Sequence, residues 1–151
     1  MKVLITGGAG FIGSHLSELL LQDPKNQLTV LDNLRTGKFA NIEHLTHNPN
    51  YRLIVGEVTD SSLLEPLIAE CDHVYHLAAG VGVRRIIEEP VETIETNIMG
   101  TEAVLKLAAK YHRKVLLAST SEVYGKNTNI PFNEEDDSVF GATTKSRWSY
   151  A

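Results

Sequence analysis

The chain has 151 residues, of which 42% are apolar and 22% charged, and its 14 basic and 19 acidic residues give a formal net charge of −5. This composition is ordinary for a globular protein and excludes the disordered and collagen-like classes. The acidic balance argues against nucleic acid as a partner, because contact with a phosphate backbone requires a basic surface. A chain of this length predicts one compact domain with its own core.

The cysteine content and the apolar runs limit the cellular setting. Cys71 is the single cysteine, so the chain has neither an intrachain disulfide nor a cysteine-based zinc site. No apolar run approaches the roughly 18 residues of a membrane span, and the first apolar run ends at Thr6, too early for a signal peptide. We therefore expect a soluble cytoplasmic protein without a metal site.

Short apolar runs with β-prone residues alternate with helical patterns. Strands are predicted at residues 3–5, 28–31, 53–55, 73–77 and 115–118. Because these runs are uniformly apolar and are separated by helices, they indicate a parallel sheet that is covered on both faces. The predicted fold class is a doubly wound α/β sheet.

Three helices are predicted between these strands. The first begins near Ile12 and ends before Pro24, and the second begins after Asp60, a favourable N-cap. Pro66 lies far inside the second helix, where proline is unfavourable because it has no N–H group to donate. The third is a long helix over 91–111, whose apolar face is predicted to contain Val91, Ile94, Ile98, Leu105 and Ala108.

A glycine-rich turn joins the first strand to the first helix. Gly7, Gly10 and Gly13 have the spacing G-x-x-G-x-x-G. Glycine at such a turn permits positive φ, lets the backbone approach a diphosphate and lets the helix pack closely on the strand. The helix N-terminus then offers free N–H groups to the phosphates. A tight turn without a ligand could use the same residues, so the motif indicates a dinucleotide site only together with its context.

The end of the second strand supplies that context. Asp32 follows Gly13 by 19 residues, where a carboxylate can accept hydrogen bonds from both hydroxyls of an adenosine ribose. This favours NAD over NADP. Arg35 and Lys38 leave the alternative open, because a nearby cation can accommodate a 2′-phosphate.

Further motifs follow the later strands. They are Asp32-Asn33-Leu34, Asp60, His76-Leu77-Ala78-Ala79 and Thr96-Asn97. Together with the glycine spacing, they resemble the extended short-chain dehydrogenase/reductase family that acts on nucleotide sugars, over the range Met1 to Ala151. The resemblance implies a Rossmann NAD-binding half with strand order 3-2-1-4-5, a smaller C-terminal half that holds the sugar nucleotide, and a homodimer.

The resemblance also implies which residues bind NAD. Asp60 is expected near the adenine, Ala78 and Ala79 along the cofactor, and Asn97 in the long helix near the active site. The full set of expected cofactor-binding residues is Gly7, Gly10, Phe11, Ile12, Gly13, Asp32, Asn33, Asp60, Leu77, Ala78, Ala79 and Asn97.

Hydroxyl and carboxyl groups follow the fifth strand, at the edge where open α/β sheets bind ligands. The segment contains Thr120, Ser121 and Glu122, which can hydrogen-bond a sugar hydroxyl and move protons. A polar loop capped by its own Ser and Thr side chains is the structural alternative. By resemblance, Thr120 holds the hydroxyl that is oxidised, and the Ser-Glu pair is most similar to UDP-glucuronate decarboxylases, although some epimerases share it.

Tyr150 matches the tyrosine of the family's Tyr-x-x-x-Lys pair, and Arg147-Trp148 precede it as in the decarboxylases. A phenol with a pKa of about 10 is a weak base at neutral pH. A lysine one helical turn later would make it competent, but that position lies beyond Ala151. We therefore expect the chain to be the N-terminal part of a longer enzyme and to be inactive alone.

The expected reaction passes through a 4-keto sugar. Removal of the O4 proton by Tyr150 accompanies hydride transfer to NAD, after which an acidic C5 substituent leaves as carbon dioxide, or the sugar is reduced from its other face. The enzyme would be a lyase in the first case and an isomerase of the UDP-glucose 4-epimerase type in the second. A non-catalytic NAD-binding module is the alternative from another class.

Overall fold

Residues 1–82 and 87–140 are described by a computed structural model. They form a five-stranded sheet in which every neighbouring pair is parallel and the order is β3-β2-β1-β4-β5. The predicted strand order is confirmed. The strands are β1 Lys2–Thr6, β2 Gln27–Asp32, β3 Tyr51–Val55, β4 His73–His76 and β5 Lys114–Leu117.

Helices and one π-helical turn accompany the strands in the described ranges. Helix α2 begins where predicted, because the Asp60 carboxylate accepts hydrogen bonds from the N–H groups of Ser62 and Leu63. It continues through Pro66, whose side chain is exposed. The helices are α1 Phe11–Leu20, α2 Ser61–Glu70, α3 Pro90–Ile94 and α4 Gly100–Lys110, and the π-helical turn is Glu95–Met99.

The sheet buries a separate apolar cluster on each face. Leu4 of β1 points into one cluster, whereas its neighbours Val3 and Ile5 point into the other, as the alternation of a strand requires. Helices α2 and α4 contribute to the Leu4 cluster. Helix α1 and the segment around Ile42 cover the opposite face. The expectation of a sheet covered on both faces is confirmed.

The predicted long helix differs from the observed one. The buried residues of α4 are Gly100, Val104 and Ala108. Because a π-helical turn contains more residues than an α-helical turn, a 3.6-residue pattern does not run through it unchanged. The five predicted residues therefore do not form one buried face: Val91, Ile94, Ile98 and Leu105 are exposed, and only Ala108 is buried.

The chain divides into two compact units. The sheet unit comprises residues 1–79 and 95–118, and the second unit comprises 80–94 together with the residues from 119 onward. In the second unit Gly125 pairs with Val139, and the rings of Tyr124 and Phe132 stack 4.7 Å apart. Over the described ranges, no helix combines the length and apolar character that crossing a bilayer requires.

Candidate cofactor-binding site

The turn between β1 and α1 requires glycine at its first position. Gly7 has φ of +74°, and its N–H donates to the Leu31 carbonyl oxygen at 2.8 Å. A Cβ atom at this position would lie 2.7 Å from the Ala78 nitrogen. A larger side chain at Gly7 is therefore excluded both by the positive φ and by the close approach of the segment that follows β4.

The other two glycines of the motif have different surroundings. A Cβ on Gly13 would lie 2.5 Å from the Gly7 carbonyl oxygen, so Gly13 lets α1 pack directly on the turn. A Cβ on Gly10 would approach only that same oxygen, at 3.3 Å. Gly10 is the N-cap of α1 and supplies no side-chain cap. The first N–H groups of α1 are therefore left for an anion, beside the exposed side chains of Phe11 and Ile12.

Asp32 at the end of β2 is connected to the glycine turn. It is buried, with 7% of its surface exposed. Its Oδ2 accepts a hydrogen bond from the Ala9 N–H at 2.9 Å, and its Oδ1 accepts one from the Leu34 N–H at 2.8 Å. Sequence reasoning predicted a ribose contact for Asp32 and missed this structural connection. An ionised carboxylate has about four acceptor positions, so two remain after these contacts.

The neighbouring Asn33 contacts a residue that sequence reasoning missed. Its Nδ2 lies 3.0 Å from Oε2 and 3.2 Å from Oε1 of Glu57, which follows β3. Because β2 and β3 are parallel neighbours, residues that follow their carboxyl ends meet at one edge. Glu57's place just after a predicted strand was the available signal.

Asp60, expected near the adenine, has a local role in the structure. Its Oδ1 accepts hydrogen bonds from the Ser62 hydroxyl at 2.6 Å and from the N–H groups of Ser62 and Leu63 at 3.0 and 3.3 Å. The Ser62 hydroxyl first, and then the Leu63 N–H, hold the pKa of Asp60 below its usual value. Asp60 caps α2, and its expected adenine contact stays a prediction.

A hydrogen-bonded chain supports the segment after β4. The Thr6 hydroxyl oxygen accepts from the Ala78 N–H at 3.3 Å and lies 2.7 Å from Nδ1 of His76. The Nε2 of His76 lies 3.1 Å from the Thr101 hydroxyl oxygen. Burial lowers the pKa of His76 to about 4, so the ring is neutral at pH 7. Sequence reasoning did not find this chain, because Thr6 and Thr101 are both distant in sequence from the segment after β4.

The remaining expected cofactor residues lie in the sheet unit. The N–H of Leu77 donates to the Thr6 carbonyl oxygen at 3.0 Å, which extends the β1–β4 pairing by one residue. Ala79 is exposed and Ala78 is half-buried. Asn97 is half-buried within the π-helical turn.

The expected catalytic segment lies in the second unit. Thr120 is the N-cap of a short helical turn, Ser121–Tyr124, and its Oγ1 accepts a hydrogen bond from the Glu122 N–H at 3.3 Å. The polar loop capped by its own side chain is therefore present, and the Thr120 hydroxyl keeps its own proton as a donor. Ser121 is exposed and Glu122 is half-buried. Arg147, Trp148 and Tyr150 lie outside the described residues.

A glycine turn after the first strand of a 3-2-1-4-5 parallel sheet, with a buried aspartate at the end of the second strand, defines a Rossmann-type dinucleotide-binding fold. The profile of the GDP-mannose 4,6-dehydratase family matches residues 4–150. The chain belongs to this family of NAD-dependent nucleotide-sugar epimerases, dehydratases and decarboxylases of the short-chain dehydrogenase/reductase type. The family resemblance read from the sequence is confirmed.

One similar relative is a nucleotide-sugar decarboxylase. The chain is 48% identical over 150 residues to a UDP-N-acetyl-alpha-D-glucosaminuronate decarboxylase of Bacillus cytotoxicus, an alignment that covers 99% of this chain and 46% of the relative. The chain thus spans about half the length of that relative.

Two solved structures show the same fold. The dTDP-glucose 4,6-dehydratase of Bacillus anthracis in complex with NAD superimposes with a TM-score of 0.83 at 32% identity, covering 99% of this chain and 47% of that one. The UDP-glucose 4-epimerase of Bifidobacterium longum in complex with NAD+ and UDP gives a TM-score of 0.80 at 30% identity, covering 99% and 46%.

Proposed function

We propose that this chain is the NAD-binding part of a nucleotide-sugar enzyme that acts through a 4-keto intermediate, and specifically of a UDP-uronate decarboxylase. The observation that carries the proposal is the preformed turn from Gly7 to Gly13, joined to the buried carboxylate of Asp32. The decarboxylase branch is supported by 48% identity to a named decarboxylase and by the Ser121-Glu122 pair.

The residues of the turn fit an adenine dinucleotide. The open N-cap at Gly10 suits a diphosphate, because an anion can accept from the first N–H groups of α1 and is stabilised by the helix dipole. The two acceptor positions left on Asp32 suit the two hydroxyls of a ribose. A 2′-phosphate would instead meet the negative charge of Asp32, which supports NAD over NADP.

Glu57 extends the acidic character of this edge. Its carboxylate contacts the Asn33 amide, next to Asp32 in the chain. We propose Asn33 and Glu57 as residues beside the adenosine. Asp60 takes a supporting part, because its carboxylate fixes the start of α2.

The reaction we propose uses groups of this chain for binding and proton transfer, while bound NAD supplies reversible hydride acceptance at the sugar C4. Tyr150 takes the proton of the O4 hydroxyl. Thr120 donates its hydroxyl proton in a hydrogen bond to the same sugar oxygen, which orients that oxygen toward the tyrosine.

Loss of carbon dioxide follows from the electronics of the ketone. A carbonyl at C4 stabilises the negative charge left at C5 when the carboxylate carbon leaves as carbon dioxide, and a proton then replaces it at C5. We propose that Glu122 and Ser121 transfer this proton to C5. Return of the hydride to C4 completes the cycle without net oxidation of the sugar.

A second candidate is a UDP-glucose 4-epimerase. The observation that favours it is the fold similarity to the Bifidobacterium longum enzyme, at a TM-score of 0.80. Its reaction needs the same binding groups and no C5 carboxylate, because the 4-keto sugar only rotates in the site and is reduced from its other face.

Product analysis separates these candidates. The complete gene product is incubated with NAD+ and, separately, with UDP-glucuronate, UDP-N-acetylglucosaminuronate and UDP-glucose, and the products are identified by NMR. A pentose nucleotide or its acetamido equivalent with release of carbon dioxide supports the decarboxylase, whereas a C4 epimer of UDP-glucose supports the alternative. NAD+ binding without conversion of any substrate supports a non-catalytic module and refutes both enzyme proposals.

We further propose a cytoplasmic homodimer. The one cysteine is buried and unpaired, as suits a reducing compartment, and the apolar side chains of Ile98, Met99 and Leu105 are 63%, 53% and 42% exposed in the sheet unit. Light scattering of the complete protein tests the dimer, and a monomeric mass contradicts it. Cell fractionation tests the location, and recovery with the membrane or secreted fraction contradicts it.

A further inference from the structure

Ala9, in the middle of the glycine turn, is held from both sides by residues outside the turn. It has no exposed surface. Its N–H donates to Asp32 Oδ2 at 2.9 Å, and its carbonyl oxygen accepts from the Lys38 N–H at 3.1 Å and from Asn41 Nδ2 at 2.9 Å. The last residue of β2 therefore contacts the N–H group of Ala9, and the segment after β2 contacts its carbonyl oxygen.

These contacts determine how the turn leads into α1. The Ala9 carbonyl shares its peptide group with the nitrogen of Gly10, the N-cap of α1. A side chain that holds this carbonyl fixes the peptide plane immediately before the N-cap. The first N–H groups of α1 point in a direction that depends on that plane.

The segment that carries Asn41 is itself packed against the turn. A Cβ on Gly37 would lie 2.9 Å from the Ala9 Cβ and 3.0 Å from Asp32 Oδ1. Asn41 is half-buried and ends a helical turn, Phe39–Asn41. The amide is thus presented by an ordered segment.

We propose that Asn41 is a positioning residue for the diphosphate of the dinucleotide, an inference that rests on the NAD-binding function proposed above. The Asn41 amide orients the Ala9–Gly10 peptide and does not contact the ligand. Because the Ala9 carbonyl also accepts from the Lys38 N–H, removing the amide leaves no buried oxygen without a partner. Loss of Asn41 therefore disturbs orientation more than folding.

The test compares two alanine variants of the complete protein. Asn41→Ala removes the amide at the turn, and the matched control Asn50→Ala removes an amide that donates to the Pro24 carbonyl oxygen at 3.0 Å, before the start of β2. Affinities for NAD+, ADP-ribose and adenosine are measured by calorimetry. ADP-ribose contains the diphosphate and adenosine lacks it.

We expect Asn41→Ala to weaken binding of NAD+ and ADP-ribose about five- to tenfold, the effect of one hydrogen bond, and to change adenosine affinity less than about twofold. Asn50→Ala should leave all three affinities unchanged. Wild-type affinity for ADP-ribose in Asn41→Ala overturns the inference, and so does an equal loss for ADP-ribose and adenosine, which indicates a general structural effect. Failure of the wild-type protein to bind NAD+ instead refutes the proposed function.

A second variant covers the case in which Asn41→Ala does not fold. Asn41→Ser keeps a small polar side chain that is too short to reach the Ala9 carbonyl in the same way. The same selective loss of ADP-ribose affinity is expected, and unchanged affinity overturns the inference.

Discussion

The Thr6 hydroxyl oxygen lies 2.7 Å from Nδ1 of His76, and this contact joins β1 to β4 where the glycine turn begins. Because Thr6 also accepts from the Ala78 N–H, the imidazole indirectly supports the backbone that packs against Gly7. The far side of the ring contacts Thr101 of α4. The neutral imidazole of His76 in β4 thus contacts both β1 and α4.

This environment predicts a specific dependence of stability on pH. Burial lowers the pKa of His76 to about 4 in the folded state, below the usual value of about 6.5, so the unfolded chain binds the proton first. The stabilisation is present above pH 6.5 and is lost as the pH falls toward 4. Between pH 7 and pH 5, His76 should reduce the free energy of unfolding by about 2 kcal/mol.

Urea titrations of wild type and His76→Asn at these two pH values measure the effect. The variant is expected to be less stable at pH 7 but to lose about 2 kcal/mol less than wild type on acidification. The exposed His112 provides a control for loss of an imidazole, through His112→Asn. Equal acid sensitivity of wild type and His76→Asn contradicts the prediction.

Alanine at two of the motif glycines should separate binding from folding. Gly13→Ala places Cβ 2.5 Å from the Gly7 carbonyl oxygen, and we expect it to destabilise the protein by about 2–3 kcal/mol. Gly10→Ala meets only one atom, at 3.3 Å, and should cost about 1 kcal/mol or less. It should nevertheless weaken NAD+ binding at least about tenfold, because the methyl group occupies space next to the diphosphate.

Thermal unfolding and calorimetric titration with NAD+ check both variants. Gly10→Ala that binds NAD+ like wild type would show that the diphosphate does not lie at this N-cap. A Gly13→Ala protein of unchanged stability would show that α1 is less closely packed than the geometry indicates.

Asp32→Asn should affect stability and coenzyme preference together. Both carboxylate oxygens accept from backbone N–H groups, so the new amide group must face one of those donors, at a cost of about 1–3 kcal/mol. The affinity for NAD+ should fall at least about tenfold, while the ratio of NADP+ to NAD+ affinity should rise because a negative charge is removed from the ribose site. Binding titrations with both coenzymes measure this affinity ratio, and an unchanged ratio argues against a ribose contact.

Cys71 should be unreactive until the protein unfolds. The side chain is 4% exposed, and burial raises the pKa of its thiol to about 11, so the reactive thiolate is scarce at neutral pH. Labelling of the 151-residue chain with a chromogenic disulfide reagent should therefore be slow in buffer and complete in urea. Rapid labelling under native conditions would indicate that the cluster around α2 opens readily.

Local patterns were enough to predict the elements of the sheet unit. The apolar runs of the five strands, the N-cap Asp60 and the strand-to-helix glycines each act over a few neighbouring residues. Pro66 and the long helix were less well predicted. The side of α4 that is buried depends on the residues that pack around the π-helical turn before it. Residue spacing in the sequence does not predict this packing.

The alternation of strands and helices along the chain, the parallel sheet, the glycine turn and the acidic residue at the end of β2 were all predicted from sequence, because they depend on short-range propensity and periodicity. The contacts of Asn41 and Asp32 with Ala9, of His76 with Thr6 and Thr101, and of Glu57 with Asn33 are seen only in the folded chain. These partners lie from 23 to 70 residues apart in the chain. Their contacts exist because parallel strands bring their last residues, and the segments that follow them, to one edge of the sheet, which no local pattern encodes.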